Sequence, residues 1–417
     1  MKRYWKIVIL PLFIVITFGV LYVHHAIAKE SLPQIELVNV SGNEENREDI
    51  IVYGDYVTYE GSVWESFRLS TDGVKYSRDQ NFLEQFNAFF QPQEMEQLMN
   101  EERSFMRGKE EDPARFVDDG ERIAYAGPSN IYFESNELEV DVLDRESRER
   151  KSFKVDIPDS ERTDHSYVEQ VQLLNDTLYV ATVNFIMEDK ELHVYEISLS
   201  DETIEDQGAI VSDSVHSYFN VLNDGLGIQQ QGYLVVRVED IEWDEGMYTS
   251  ELVGEEYFIY DLETKEKQVI EVPEEFATAE EEYRTTGQDY MEEEQELDEE
   301  VIYPMNYTSI GKEELYFITF TSDGLKYYPY HLKENKPGEE KEISFDENIL
   351  SGLSGVYPKG DHLYFHSNTG EDGNQKKLFK VDLESGETVY EGEIKLTDVP
   401  KETHAYNVEI YSIEEKR

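Results

Sequence analysis

The chain has 417 residues, 39% of them hydrophobic and 12% aromatic, which is enough to build a sizeable core; its 29 tyrosines and 20 phenylalanines favour pleated, half-buried sheet surfaces. Its 92 acidic residues outnumber 37 basic ones, a formal charge of -55 that repels phosphate backbones and excludes nucleic acid as a partner. Cysteine is absent, which removes disulfides, thiol nucleophiles, cysteine-held zinc and the lipid-modified cysteine of a lipoprotein anchor.

At the amino end, Lys2, Arg3 and Lys6 precede Ile7 to Val23, a run of 17 residues without a charge. That order places the N-terminus inside the cell and the rest outside. Residues 1–28 are read as an uncleaved membrane anchor, making the protein single-pass in the cell membrane. The alternative is a signal peptide cut after Ala28, which ends the A-x-A pattern Ala26-Ile27-Ala28, and a secreted product. Residues 29–417 are then extracytoplasmic, where the acid excess serves solubility or adaptation to a salty, cation-rich exterior.

Beyond the anchor the strands recur. "LNDTLYVATV", "GKEELYFITF" and "KGDHLYFHSN" each read as a turn entering a strand, and each is followed by an acidic residue, a polar turn and another alternating strand. Ile123, Leu178, Tyr233, Leu315 and Leu363 as equivalent points are 55, 55, 82 and 48 residues apart. Removing the acidic segment 273–300, 28 residues long, reduces the long gap to 54. A further copy begins at Tyr53. Asp72-Gly73 and Asp323-Gly324, in "STDGVKYS" and "TSDGLKYY", read as equivalent hairpin corners.

A period near 50 residues, about four strands per unit, is that of a β-propeller. The stretch "LYFHSNTGEDGNQKKLFKVDLESGETVYEGEI" resembles a blade of the bacterial membrane-anchored extracytoplasmic β-propellers. The resemblance covers residues 50–410 and carries no family motif, so no functional residue transfers. The expected fold is all-β, a propeller of six blades, or seven, with "QIELVNV" near the N-terminus pairing beside "YNVEIYSI" near the C-terminus to close it.

Two insertions break the rhythm. Residues 80–108 carry Phe82, Phe86, Phe89 and Phe90, then Met95 and Met99, at helical spacing. These read as two short amphipathic helices whose apolar faces either pack on the sheets or dock a partner. Residues 273–300 hold 13 acidic residues against the single base Arg284, and read as a solvated acidic loop.

The search for chemistry is mostly negative. "SGLSGVY" fails the nucleophile-elbow pattern at Val356, and there is no phosphate loop or dinucleotide fingerprint. His362 and His366 are four apart on a strand, roughly 13 Å, so they share a face without sharing an ion. Asn368, Glu371, Asp372 and Asn374 around Gly370 and Gly373 form a plain hairpin turn or a loose calcium loop, the one cofactor suggested. The functional expectation is a non-catalytic binding or regulatory module tethered to the membrane, recognising an envelope protein or a surface polymer. The alternative is a carbohydrate-active or other hydrolytic propeller using carboxylates in a central channel.

Overall fold

A computed structural model describes residue 19 and residues 32–416 other than 59–62, 81–91, 129–136, 159–162, 187–188, 214–216, 224–226, 245–248, 275, 278–304, 322, 370–374 and 400–405. Strand β1 (Gln34–Gly42) and the short helix α1 (Glu44–Glu48) lead into β2 (Ile50–Thr58), β3 (Trp64–Ser70) and β4 (Gly73–Tyr76) of a first sheet. Helices α2 (Gln93–Glu101) and α3 (Arg103–Met106) precede the second sheet, β5 (Phe116–Asp118), β6 (Arg122–Pro128), β7 (Glu137–Asp144) and β8 (Arg150–Asp156). The third comprises β9 (His165–Leu174), β10 (Thr177–Ile186), β11 (Asp189–Ser198) and β12 (Thr203–Asp213); the fourth β13 (Ser217–Val221), β14 (Tyr233–Asp244), β15 (Thr249–Asp261) and β16 (Lys267–Ile270). The fifth holds β17 (Met305–Ile310), β18 (Glu314–Thr321), β19 (Gly324–His331), β20 (Lys336–Pro337) and β21 (Lys341–Ser344). After α4 (Glu347–Leu350), the sixth runs through β22 (Leu353–Lys359), β23 (His362–Thr369), β24 (Gln375–Asp382) and β25 (Glu387–Thr397), and β26 (Tyr406–Glu415) follows.

The fold of the described residues is all-β and propeller-like: six antiparallel sheets of four or five strands, in which successive strands pair except that β26 joins the first sheet, β1 joins the sixth and β21 returns to pair with β19. Ile123, Leu178, Tyr233, Leu315 and Leu363 fall at the first or second residue of β6, β10, β14, β18 and β23, the second strand of each sheet, so the repeat read from the sequence marks one position in five sheets. Tyr53 lies in β2, the corresponding strand of the first sheet. The Asp-Gly corners are not equivalent, however. Asp72-Gly73 turns β3 into β4, the third and fourth strands of their sheet, whereas Asp323-Gly324 turns β18 into β19, the second and third. The dipeptide reports a tight turn and nothing about which corner it makes.

Apolar clusters join neighbouring sheets. Leu138, Val171 and Leu178 lie between the second and third sheets, Leu192, Leu234 and Phe258 between the third and fourth, and Val235, Tyr257 and Phe317 between the fourth and fifth. Phe320, Phe365 and Phe379 join the fifth to the sixth, and Leu37, Val52, Tyr364 and Ile413 join the sixth back to the first. Among the described residues, eight of the twelve largest fully buried side chains are tyrosines, so there the tyrosine bias is spent mainly on the core.

Both chain ends complete sheets begun elsewhere. Strand β26 takes the first position of the first sheet, pairing with β2 from Ile50↔Glu415 to Thr58↔Tyr406. Strand β1 adds a fifth strand to the sixth sheet, pairing with β25 from Gln34↔Thr397 to Gly42↔Tyr390. The expected pairing of "QIELVNV" beside "YNVEIYSI" is therefore corrected. A direct pair would leave the free edges of both β2 and β25 open, whereas the observed arrangement covers each with one terminal strand. Among the described residues no helix is long and apolar enough to cross a membrane, and residues 7–18 and 20–23 of the apolar run lie outside the described residues.

Candidate functional site

The described part of the helical insertion, residues 92–108, belongs to the core. Met95, Leu98, Phe105 and Met106 are buried in one cluster with Phe116, Ile123, Tyr125 and Leu143 of the second sheet, and Met99 packs against it half-buried. Met95 is 0% exposed, so it fills the space beside β5 and β6 and is not available to a partner. Phe82, Phe86, Phe89 and Phe90 lie outside the described residues. Polar bonds hold the insertion on both sides. Glu96 pairs with Arg68 of β3 at 2.6 Å, and Glu414 of β26 accepts from the Gln93 backbone N–H at 3.2 Å. On the second sheet, Lys109 donates to Asp141 and to the Phe105 carbonyl, and Arg150 also donates to Asp141. Burial pulls the Lys109 ammonium below the usual lysine range even with Asp141 beside it. Arg148 donates to both carboxylate oxygens of Glu102, a hydrogen bond that lowers the Glu102 pKa.

With its apolar face committed, α2 turns Glu94, Gln97 and Glu101 toward a cleft of about 500 Å3. Spacings of three and seven residues put these three on one stripe of the helix. The opposite walls are Asp118, Asp119 and Gly120 at the β5–β6 turn, Arg145 from the β7–β8 turn, and Ile228, Gln229 and Gln230 from the connection between β13 and β14 of the fourth sheet. That connection is threaded between two acids: the Asp118 N–H donates to the Ile228 carbonyl at 2.7 Å, and the Ile228 N–H donates to Glu94 Oε2 at 3.0 Å. Gly227 makes the approach possible. It sits at φ +64°, and a Cβ there would lie 1.9 Å from Glu94 Oε2.

Arg145 donates to Asp118 and stands 4.0 Å from Glu101, while Arg122 holds Asp119 at 3.0 Å. The lining residues carry four carboxylates, one guanidinium and three side-chain amides, with no hydroxyl, thiol, imidazole or amine. Such a wall offers negative potential and hydrogen-bond acceptors, and suits a cation or a donor-rich group.

The suggested calcium ligands are mostly out of view, since Glu371, Asp372 and Asn374 lie outside the described residues. Asn368, on β23, accepts from the Lys376 ammonium, which already supplies positive charge at that oxygen. Among the described residues no group of three or more His, Cys, Asp or Glu side chains could hold a metal ion. His362 and His366 have separate partners: His362 Nδ1 is 3.3 Å from Glu415, whereas His366 is buried with Nε2 3.2 Å from the Tyr357 hydroxyl.

Sequence reasoning missed the cleft. Its far wall, "GIQQQ" at residues 227–231, is short, uncharged and distant in the chain from α2. The glycine before a run of amides is the one local signal it carries.

No protein-family model matches the chain, and no curated protein matches it. Solved structures do. A mutant of the Synechocystis apocarotenoid oxygenase aligns at TM-score 0.37 and 9% identity, over 91% of this chain and 96% of that one. A prolyl endopeptidase aligns at TM-score 0.31 and 11% identity, over 85% of this chain and 50% of that one. Nothing of their chemistry is carried over at these scores.

Proposed function

We propose that the six sheets form a six-bladed propeller closed by β1 and β26, and that this propeller is a non-catalytic binding module held outside the cell membrane by residues 7–23. Its cleft beside α2 receives a cationic segment of an envelope protein. The observation that carries this reading is the acidic wall of Glu94, Glu101, Asp118 and Asp119, set against the side-chain amides of Gln229 and Gln230. The frame is rigid because α2 is pinned to both the first and second sheets, so the carboxylates meet a ligand without first being ordered.

The test compares the full chain with a Gln97→Lys, Glu101→Lys double variant for capture of a partner from solubilised membranes. Both side chains stand on the cleft stripe of α2 and outside its apolar face, so the variant keeps the core intact. The reading expects a protein retained by the parent chain and lost both with the variant and on raising salt to about 0.5 M, where the Debye length falls to a few Å. Equal capture by the two chains contradicts it.

A further inference from the structure

A second exposed site surrounds Phe185 at the end of β10. His165 of β9 and Lys190 of β11 both stand opposite Phe185, one on each side, in the strand register. The His165 ring stacks on Phe185 with centroids 4.3 Å apart and planes 12° from parallel, and Tyr167 meets the same ring edge-on at 5.7 Å. Lys190 Nζ lies 5.7 Å from the Phe185 centroid and 4.3 Å from that of Tyr218 on β13, so the patch bridges the third and fourth sheets. Tyr167 is 54% exposed and Tyr218 42%, in a protein whose largest buried side chains are mostly tyrosines.

We propose that this patch is a stacking platform for a neutral polysaccharide, with Tyr167 and Tyr218 each lying against a pyranose ring. Charge decides the ligand class. A polyanion is repelled by a chain of formal charge -55. A cationic ligand meets the Lys190 ammonium, which already occupies the cation position over Phe185 and Tyr218. An apolar protein knob needs a dry patch, and here an ammonium and an imidazole are interleaved with the rings. A pyranose chain supplies what is left: flat C–H faces for the tyrosines, and hydroxyls to accept from Lys190 and to bond the ring nitrogens of His165. The platform extends the recognition reading from a protein to a surface polymer. It shares no residue with the acidic cleft, so either site can fail without the other.

The test is calorimetric titration of the full chain with three probes: a β-1,4-linked glucose hexamer, a β-1,4-linked N-acetylglucosamine hexamer and polygalacturonate. The proposal expects at least one neutral hexamer to bind and polygalacturonate not to. Tyr167→Ala and Tyr218→Ala should each weaken that binding about three- to ten-fold, the range of one aromatic contact, with an unchanged melting temperature because both rings are exposed. The cleft variant Gln97→Lys, Glu101→Lys should bind the hexamer as the parent does. The proposal is overturned if neither hexamer binds, if polygalacturonate binds more tightly, if both tyrosine variants bind as the parent does, or if the cleft variant loses the hexamer.

Discussion

Glu415, near the end of β26, accepts a hydrogen bond at 2.8 Å from Nζ of Lys380 on β24, so the C-terminal strand is tied by charge to the sixth sheet while its backbone pairs with the first. Lys380 is almost wholly buried, with its ammonium 5.5 Å from the Tyr364 ring centroid. A second tie runs beside it: the Tyr357 hydroxyl on β22 donates to the Ile410 carbonyl of β26 at 2.7 Å. The tie between the C-terminal strand and the sixth sheet therefore includes side chains that titrate.

Acid should loosen this seam in two stages. Burial lowers the pKa of His366, beside Tyr357, from 6.5 to about 4, with Lys376 adding to the effect. The unfolded chain binds that proton first, so the stability held by neutral His366 is complete above pH 6.5 and is lost as the pH falls toward 4. Burial alone would raise the Glu415 pKa, but hydrogen bonds from His362 and Lys380 bring it from 4.5 down to about 2. Its contribution is complete above pH 4.5 and is lost as the pH falls toward 2. Melting temperature measured against pH should decline through both windows. Glu415→Gln should flatten the lower window alone, and an unchanged slope below pH 4.5 would sink this assignment.

The insertion should behave as core in denaturation. The Lys109 and Asp141 side chains are 2% and 0% exposed. Asp141→Ala leaves the Lys109 ammonium buried with no carboxylate and should cost about 3–5 kcal/mol in urea unfolding. Lys109→Met should cost less, because Arg150 still donates to Asp141. Equal losses would mean that Asp141 is not the shared anchor.

Gly227→Ala should disturb the cleft from a distance in sequence. The new Cβ would displace the Glu94 carboxylate from the Ile228 N–H, and the left-handed backbone adds strain, together about 1–3 kcal/mol. Partner capture should fall with stability. A variant as stable as the parent chain, with capture intact, would show that Glu94 does not need that bond.

Much of the architecture was readable because second strands are buried on both faces and enter from a turn; Leu178 and Leu315 announce themselves as Leu-Tyr after a polar corner. First strands were harder to read, and although "YNVEIYSI" was legible as a strand, its partner was not. Strand β5 is three residues, Phe116 to Asp118, too short to alternate, and the first strand of the first sheet comes from the far end of the chain. The inward face of α2 was visible as a period of apolar residues, but periodicity names a buried face without naming what buries it, so Met95 could be read as a docking residue. The cleft needs Glu94, Asp118 and Gln229 to meet across more than a hundred residues, and no local pattern encodes that meeting. Bridge formation between Asp118 and Gln229 is what joins them.

Because the chain has no cysteine, its closure can be read by two engineered pairs. Glu36→Cys with Lys395→Cys spans β1 and β25, and Val57→Cys with Asn407→Cys spans β2 and β26; both pairs are direct partners in the strand register. Mild oxidation of the four-fold variant, followed by mass spectrometry of proteolytic fragments, reports both seams in one molecule. The account predicts two intramolecular disulfides, 36 with 395 and 57 with 407, in the same monomer. Links between molecules, or the failure of either pair to form, would contradict a ring closed by the two ends of the chain.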